Sequence, residues 1–207
     1  VQITEVCLRS EAGLRDADGD SPDWIELYNA GTESVSLDGW YLSDDPEEPV
    51  SQFTTVDASY FDDALFLGDS HTDGFHDYAG LGNATYFTKN GLTVKDAVEK
   101  SFIELDGKKV TLAEALGTRQ FGKVYILLGI NEIGAYTAAD WAAQYKSLLD
   151  LVREKQPNAV IFIQSIFHTT QKKSDSSYFK NEVINERNAA IAQLADGKTI
   201  FYLDLNP

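Results

Sequence analysis

The chain has 207 residues, 43% of them hydrophobic and 24% charged, with a formal net charge of −16. That is long enough for one large domain or two small ones with a real core, and the composition excludes disorder and collagen-like repeats. So acidic a chain suits neither nucleic acid nor an anionic membrane surface, and its longest apolar runs, such as Val124–Ile130, are too short for membrane insertion.

Residues 1–60 hold 14 Asp and Glu against 2 Lys and Arg, a net of −12, while the rest of the chain nets −4. This asymmetry predicts two modules. Residues 1–8 alternate apolar and polar, as a half-buried strand does, and Asp23–Asn29 alternate again. Between them lies an acidic turn, Asp16 to Asp20, whose Gly19 is misplaced for a calcium-binding EF-hand loop. Gly31–Glu33 reads as a hairpin turn, Ser34–Leu37 as a short strand, and Trp40–Leu42 as another after Asp38-Gly39. Trp24, Tyr28, Trp40 and Tyr41 are expected in a sandwich core rather than on a sugar-binding platform. The one cysteine, Cys7, excludes an intramolecular disulfide framework and reads as a buried strand residue. The chain contains no methionine, so the start codon is placed upstream, where a leader would also lie.

Across residues 43–61, with two prolines and four acids near the start, the pattern changes. Ala64–Leu67 is an apolar run without alternation, as in a fully buried parallel strand. Ala84–Phe87 is a second strand, followed by helix near Val94–Lys100, and Ile103–Val110 is a hairpin turning at Asp106-Gly107. Thr111 and Glu114 form a capping box for a short helix. Strands Val124–Leu128, Val160–Ile166 and Thr199–Leu203 alternate with helices from Thr137 or Ala138 to Lys155 and from Phe179 to Ala195. Strands alternating with helices predict an α/β fold, a flavodoxin-like three-layer parallel sheet. Asn185 to Asn188 are expected to place paired charges on an exposed helix face, and Lys172-Lys173 to lie in a solvent-facing loop.

In such a sheet, ligands bind beyond the carboxyl ends of the strands, at the switch point between the first and third. The first strand ends in Leu67-Gly68-Asp69-Ser70 and the third in Gly129-Ile130-Asn131-Glu132. A serine at a helix start facing an asparagine amide is minimal equipment for acyl transfer. No Gly-x-Gly-x-x-Gly or P-loop pattern follows a strand, which disfavours a nucleotide binder.

Phe66–Ser70 resembles the first block of the SGNH (GDSL) hydrolases, and Gly129–Glu132 resembles their Gly-x-Asn-Asp block, with Glu132 where aspartate is usual. Gly91 falls where that family places its oxyanion-hole glycine. The resemblance covers residues 62–207 and implies a serine esterase in which Ser70 is the nucleophile and Gly91 and Asn131 complete the oxyanion hole. It implies small esters or acetylated carbohydrates as substrates and no cofactor or metal. The family's general base is a histidine in an Asp-x-x-His block after the fifth strand, and the chain ends at Asp204–Pro207, before such a block. It is therefore expected to be a C-terminally truncated fragment of impaired activity, lacking also the last helix over one sheet face. His168, at the end of the fourth strand, is the possible substitute base; His71 is expected at the helix start or the cleft mouth and His76 at the surface.

Ile3–Val6, Asp23–Asn29 and Leu37–Asp45 together resemble the first half of a lamin-tail domain, an immunoglobulin-like sandwich of bacterial surface and secreted proteins. The expected organisation is a partial immunoglobulin-like β segment over 1–52, a linker over 53–61 and the hydrolase domain over 62–207. The first segment implies an extracellular or cell-surface setting. The alternative function is a non-catalytic surface-binding protein on a degenerate hydrolase fold.

Overall fold

The structure is a computed structural model describing residues 2–7, 24–37 and 55–206. The chain divides into two compact units, Val1–Thr54 and Thr55–Pro207. In the first, β1 (Gln2–Cys7) pairs antiparallel with β2 (Trp24–Tyr28), Ile3 opposite Leu27 and Cys7 opposite Trp24. Asn29 closes the following bend: its side-chain oxygen accepts the Gly31 N–H at 3.0 Å and its amide donates to the Glu33 carbonyl at 2.8 Å. Residues 34–37, expected as a strand, do not adopt one among the described residues. Tyr28, expected in a sandwich core, is 55% exposed, and Ile25 and Leu27 are exposed as well. Among the described residues the two-stranded ribbon has no second layer to bury a face against. An immunoglobulin-like arrangement is therefore not supported among the described residues. The acidic turn at 16–20 and the strand expected at 40–42 lie outside them.

The second unit is built on a parallel sheet of β3 (Ala64–Gly68), β4 (Thr85–Thr88), β7 (Lys123–Leu127), β8 (Val160–Gln164) and β9 (Ile200–Leu203), in the order β4-β3-β7-β8-β9. This is the flavodoxin-like order, with the first and third strands of the sheet adjacent. Alternate residues of each strand serve opposite layers. Leu65, Leu67, Val124, Ile126, Ile161 and Ile163 meet Trp141, Tyr145 and Leu148 of α4 (Ala138–Lys155) and Ile184 and Ile191 of α6 (Asn181–Ala192). On the other face, Tyr86, Phe66, Tyr125, Phe162 and Phe201 occupy matching register positions on all five strands. Their rings stack in one row at 5.2, 4.8, 4.6 and 5.9 Å between neighbours. The helix α1 (Ser70–Ala79) packs on β3 and β4.

Local chemistry sets the connections. The hairpin of β5 (Ser101–Leu105) and β6 (Lys108–Thr111) turns at Asp106 and Gly107, with φ of 49° and 73°, the paired left-handed conformations that an Asp-Gly turn accommodates. Thr111 and Glu114 cap α3 (Leu112–Leu116) reciprocally. Thr93 caps α2 (Val94–Glu99), and Thr137 caps α4. Two expectations need correction. Lys172 and Lys173, expected in a loop, lie in α5 (Gln171–Ser176), closed at its C-terminal end by the Lys180 ammonium, which donates to the carbonyls of Ser174 and Asp175. Of the polar run on α6, Arg187 and Asn188 are buried while Asn185 and Glu186 are exposed, so the charges do not share an exposed face.

Candidate active site

Two glycines let the strand ends approach the helices. A Cβ on Gly68 would fall 1.9 Å from Thr72 Oγ1 and 2.8 Å from the Leu127 carbonyl oxygen, so only glycine lets the first turn of α1 fold back against β7. Gly129 has φ of +129°, and a Cβ there would lie 2.5 Å from the Trp141 ring and 2.7 Å from Ile166. Both block-opening glycines are thus fixed by packing, whatever chemistry follows.

Asp69 is 1% exposed and N-caps α1, accepting the His71 N–H at 2.9 Å. Ser70 is the first residue of that helix and is exposed, with a backbone N–H that the helix itself does not use. Gly91 closes a turn after β4 with φ of +71°, in which the Leu92 N–H donates to the Lys89 carbonyl at 3.0 Å. Asn131 lies in a 3-10 turn, Ile130–Glu132, directly after Gly129. Its side-chain amide donates to Asp69 Oδ2 and to the Leu92 carbonyl, each at 3.1 Å. The partners of Asn131 are the immediate chain neighbours of Ser70 and Gly91, so the three segments expected to form the site meet at one rim. In this resting arrangement both protons of the Asn131 amide are donated within the protein.

The three histidines sit in different settings, with His71 at the start of α1 and His76 exposed, as expected. His71 turns its Nδ1 to Asp69 Oδ1 at 3.0 Å and rests beside Phe167, with ring centroids 5.8 Å apart. The hydrogen bond to Asp69 raises the imidazole pKa above its ordinary value against the effect of burial, with the charge of Asp69 adding to the rise and Lys173 opposing it. His71 also lines an apolar cavity of about 330 Å³ with Phe66, Phe75, Phe167 and Leu205. His168 bonds through Nε2 to Asn185 on α6 at 2.6 Å and lines a separate cavity with Tyr202, Asp204 and Asn206. His76 packs tilted against Tyr86, with ring centroids 4.1 Å apart. Among the described residues no histidine ring is hydrogen-bonded to Ser70.

Glu132 is a residue whose role the sequence reading did not see. It is 3% exposed, and its Oε2 accepts the backbone N–H of Val94 at 3.0 Å and the indole N–H of Trp141 at 3.2 Å. Arg187, 1% exposed, donates to the Glu132 carbonyl at 2.8 Å. The only sequence signal was the glutamate standing in the last position of Gly129–Glu132.

Residues 66–207 match the family described as GDSL-like lipase/acylhydrolase. Comparison with curated proteins finds no match. Among solved structures, a protein from Streptococcus pneumonia, described provisionally as a platelet activating factor, is 20% identical with a TM-score of 0.52, over 69% of this chain and 65% of that one. A mutant acetyl esterase holding an acetate ion is 14% identical with a TM-score of 0.50, over 69% of this chain and 79% of that one. At these identities the likeness is one of fold. The chain spans just under two thirds of the length of the first of these structures.

Proposed function

The chain belongs to the GDSL-like lipase/acylhydrolase family, and from that premise we propose that it is a serine esterase, removing acetyl groups from carbohydrate or cleaving small esters, with Ser70 as its nucleophile. The observation that carries the reading is the Asn131 amide, which ties the residue before Ser70 to the residue after Gly91. In this reading the Ser70 hydroxyl adds to the ester carbonyl, and the charge that develops on oxygen is met by the N–H groups of Ser70 and Gly91 and by the Asn131 amide. Asn131 contributes by releasing one of its two present acceptors. Solvent takes the serine proton and returns it to the leaving oxygen, so collapse of the adduct expels a neutral alcohol, and water then adds to the acyl-serine, releasing the acid and restoring the hydroxyl. The acetyl esterase among the similar structures makes an acetyl ester the first substrate to test.

A serine hydroxyl without a base is a poor nucleophile at neutral pH. Since no histidine among the described residues bonds to Ser70, we expect slow turnover, sustained by the oxyanion donors alone. Such residual catalysis is on the order of 10³-fold over water in serine hydrolases stripped of a triad member. The test is hydrolysis of p-nitrophenyl acetate together with fluorophosphonate labelling, in the chain and in Ser70→Ala. Weak hydrolysis and labelling that both vanish in Ser70→Ala are expected. No labelling of the unsubstituted chain, or equal labelling of the variant, overturns the reading.

A further inference from the structure

We infer that Glu132 is the positioning residue of this site: its buried carboxylate locks the Gly91 loop to the Asn131 turn, and so fixes the two outer donors of the oxyanion hole relative to each other. The inference rests on the serine-esterase reading above for its catalytic consequence, while the structural link stands on its own contacts.

Gly91 and Asn131 lie on different connections of the sheet, and nothing in the parallel ladder sets the distance between two loops beyond the strand ends. Two bonds do so here. Asn131 donates to the Leu92 carbonyl at 3.1 Å, and the next residue, Glu132, accepts from Val94 N–H at 3.0 Å. Residues 92 and 94 are thereby pinned to residues 131 and 132 in parallel. Val94 is the first residue of α2, so its N–H has no acceptor within the helix. The Thr93 cap serves Asp96 instead. Glu132 supplies the missing acceptor from another loop.

Glu132 is itself held from behind. The same oxygen takes the Trp141 indole N–H at 3.2 Å, its backbone N–H donates to Gly129 at 3.2 Å, and its carbonyl takes Arg187 at 2.8 Å. Arg187 lies over the Trp141 ring, 4.9 Å from its centroid. The helix α4 thus braces the carboxylate through Trp141, and α6 braces the backbone of the same residue through Arg187. Burial alone does not explain this arrangement. Glu132 Oε1 and Arg187 Nε and Nη1 find no hydrogen-bond partner among the described residues. Buried charges with unused donors and acceptors are costly to a fold. Burial also pushes the Glu132 carboxyl pKa up, opposed by the bonds from Val94 and Trp141 and by the charge of Arg187. An apolar side chain would fill the space at less cost but could not hold Val94.

The test uses the full chain with Glu132→Ala and Glu132→Gln, the latter keeping an oxygen that can accept the same two N–H groups. Losing one oxyanion donor costs on the order of 10²-fold in rate, so Glu132→Ala is expected to lower kcat and the fluorophosphonate labelling rate by about ten-fold or more with KM within about two-fold. Glu132→Gln is expected to recover most of that loss. Equal losses in both variants, or a change confined to KM, overturn the inference. Hydrogen exchange reads the link without turnover: in Glu132→Ala, amides of residues 89–95 should exchange faster while those of β3 and β7 do not change. Unchanged exchange over 89–95 overturns the positioning role. If the unsubstituted chain does not label at Ser70, the esterase reading fails, and the exchange result alone decides the positioning role. Should Glu132→Ala fail to fold, Glu132→Asp, shorter by one methylene, takes its place in both measurements with the same expected directions.

Discussion

Asp69 serves three partners with two oxygens. One oxygen caps α1 through the His71 N–H and also takes the His71 ring, and the other takes the Asn131 amide. A carboxylate so engaged holds its neighbours in place, and the effect on His71 can be measured. The bond to Asp69 raises the pKa of His71 in the folded protein above the unfolded value of about 6.5. The folded state therefore binds the proton more tightly. Its stabilisation is fully present below the unfolded pKa and is lost as pH rises through the folded one. Urea denaturation of the unsubstituted chain and of His71→Gln should show a stability gap in favour of the former at pH 6 that shrinks by pH 8.5. A gap that grows with pH would contradict the contact. The ring is half-exposed, so the change is small.

At the scale of elements, side chains finish what the backbone ladder leaves undone. Beyond β8, Asn188 on α6 accepts the Ile166 N–H at 2.8 Å and donates to the Ile166 carbonyl at 3.0 Å, as a paired strand residue would. The carbonyl also receives the Asn206 amide, so Asn188→Ala orphans chiefly the buried N–H. An unsatisfied buried donor costs about 1–3 kcal/mol, and urea denaturation of Asn188→Ala should show a loss of that size; a change below about 0.5 kcal/mol would discount the clamp. Elements of this unit that bury one continuous face were legible in the sequence. The apolar runs of β3, β7 and β8, the periodicity of α4 and the capping box of α3 each carry their signal within one segment. The short α5 was not legible, because Gln171 to Ser176 have no apolar face and the helix is closed by Lys180. Arg187 was misread for a related reason. Four polar residues in a row give no sign of which side faces in, and that choice is made by a carbonyl 55 positions away. The site split the same way. Ser70, Gly91 and Asn131 could be read from short motifs, whereas the reach of Glu132 to Val94 spans 38 positions and leaves no local trace.

At the scale of the whole chain, charge is unequally shared, and so is the core of the described residues. Both hydrophobic clusters among the described residues, with the partly buried residues packed against them, are drawn from the segment between Phe61 and Leu203. In the first unit, Ile25, Leu27, Val35 and Leu37 are all exposed. Residues 55–207 carry 20 acidic and 15 basic side chains, so removing the first 54 takes away most of the net negative charge. Self-repulsion falls while no residue of either cluster is lost, which favours the compact state. We therefore propose that residues 55–207 form an independent folding unit. Expressed alone, the segment should keep the near-ultraviolet circular dichroism of the full chain's aromatic row and unfold within about 2 °C of the full chain's main transition, a shift equivalent to less than about 1 kcal/mol for a domain of this size. Ser70 labelling should persist at the rate of the full chain. A midpoint lower by more than about 5 °C, or loss of the aromatic signal, would mean that residues 1–54 contribute to the stability of the sheet and that the boundary between the units is not one of folding.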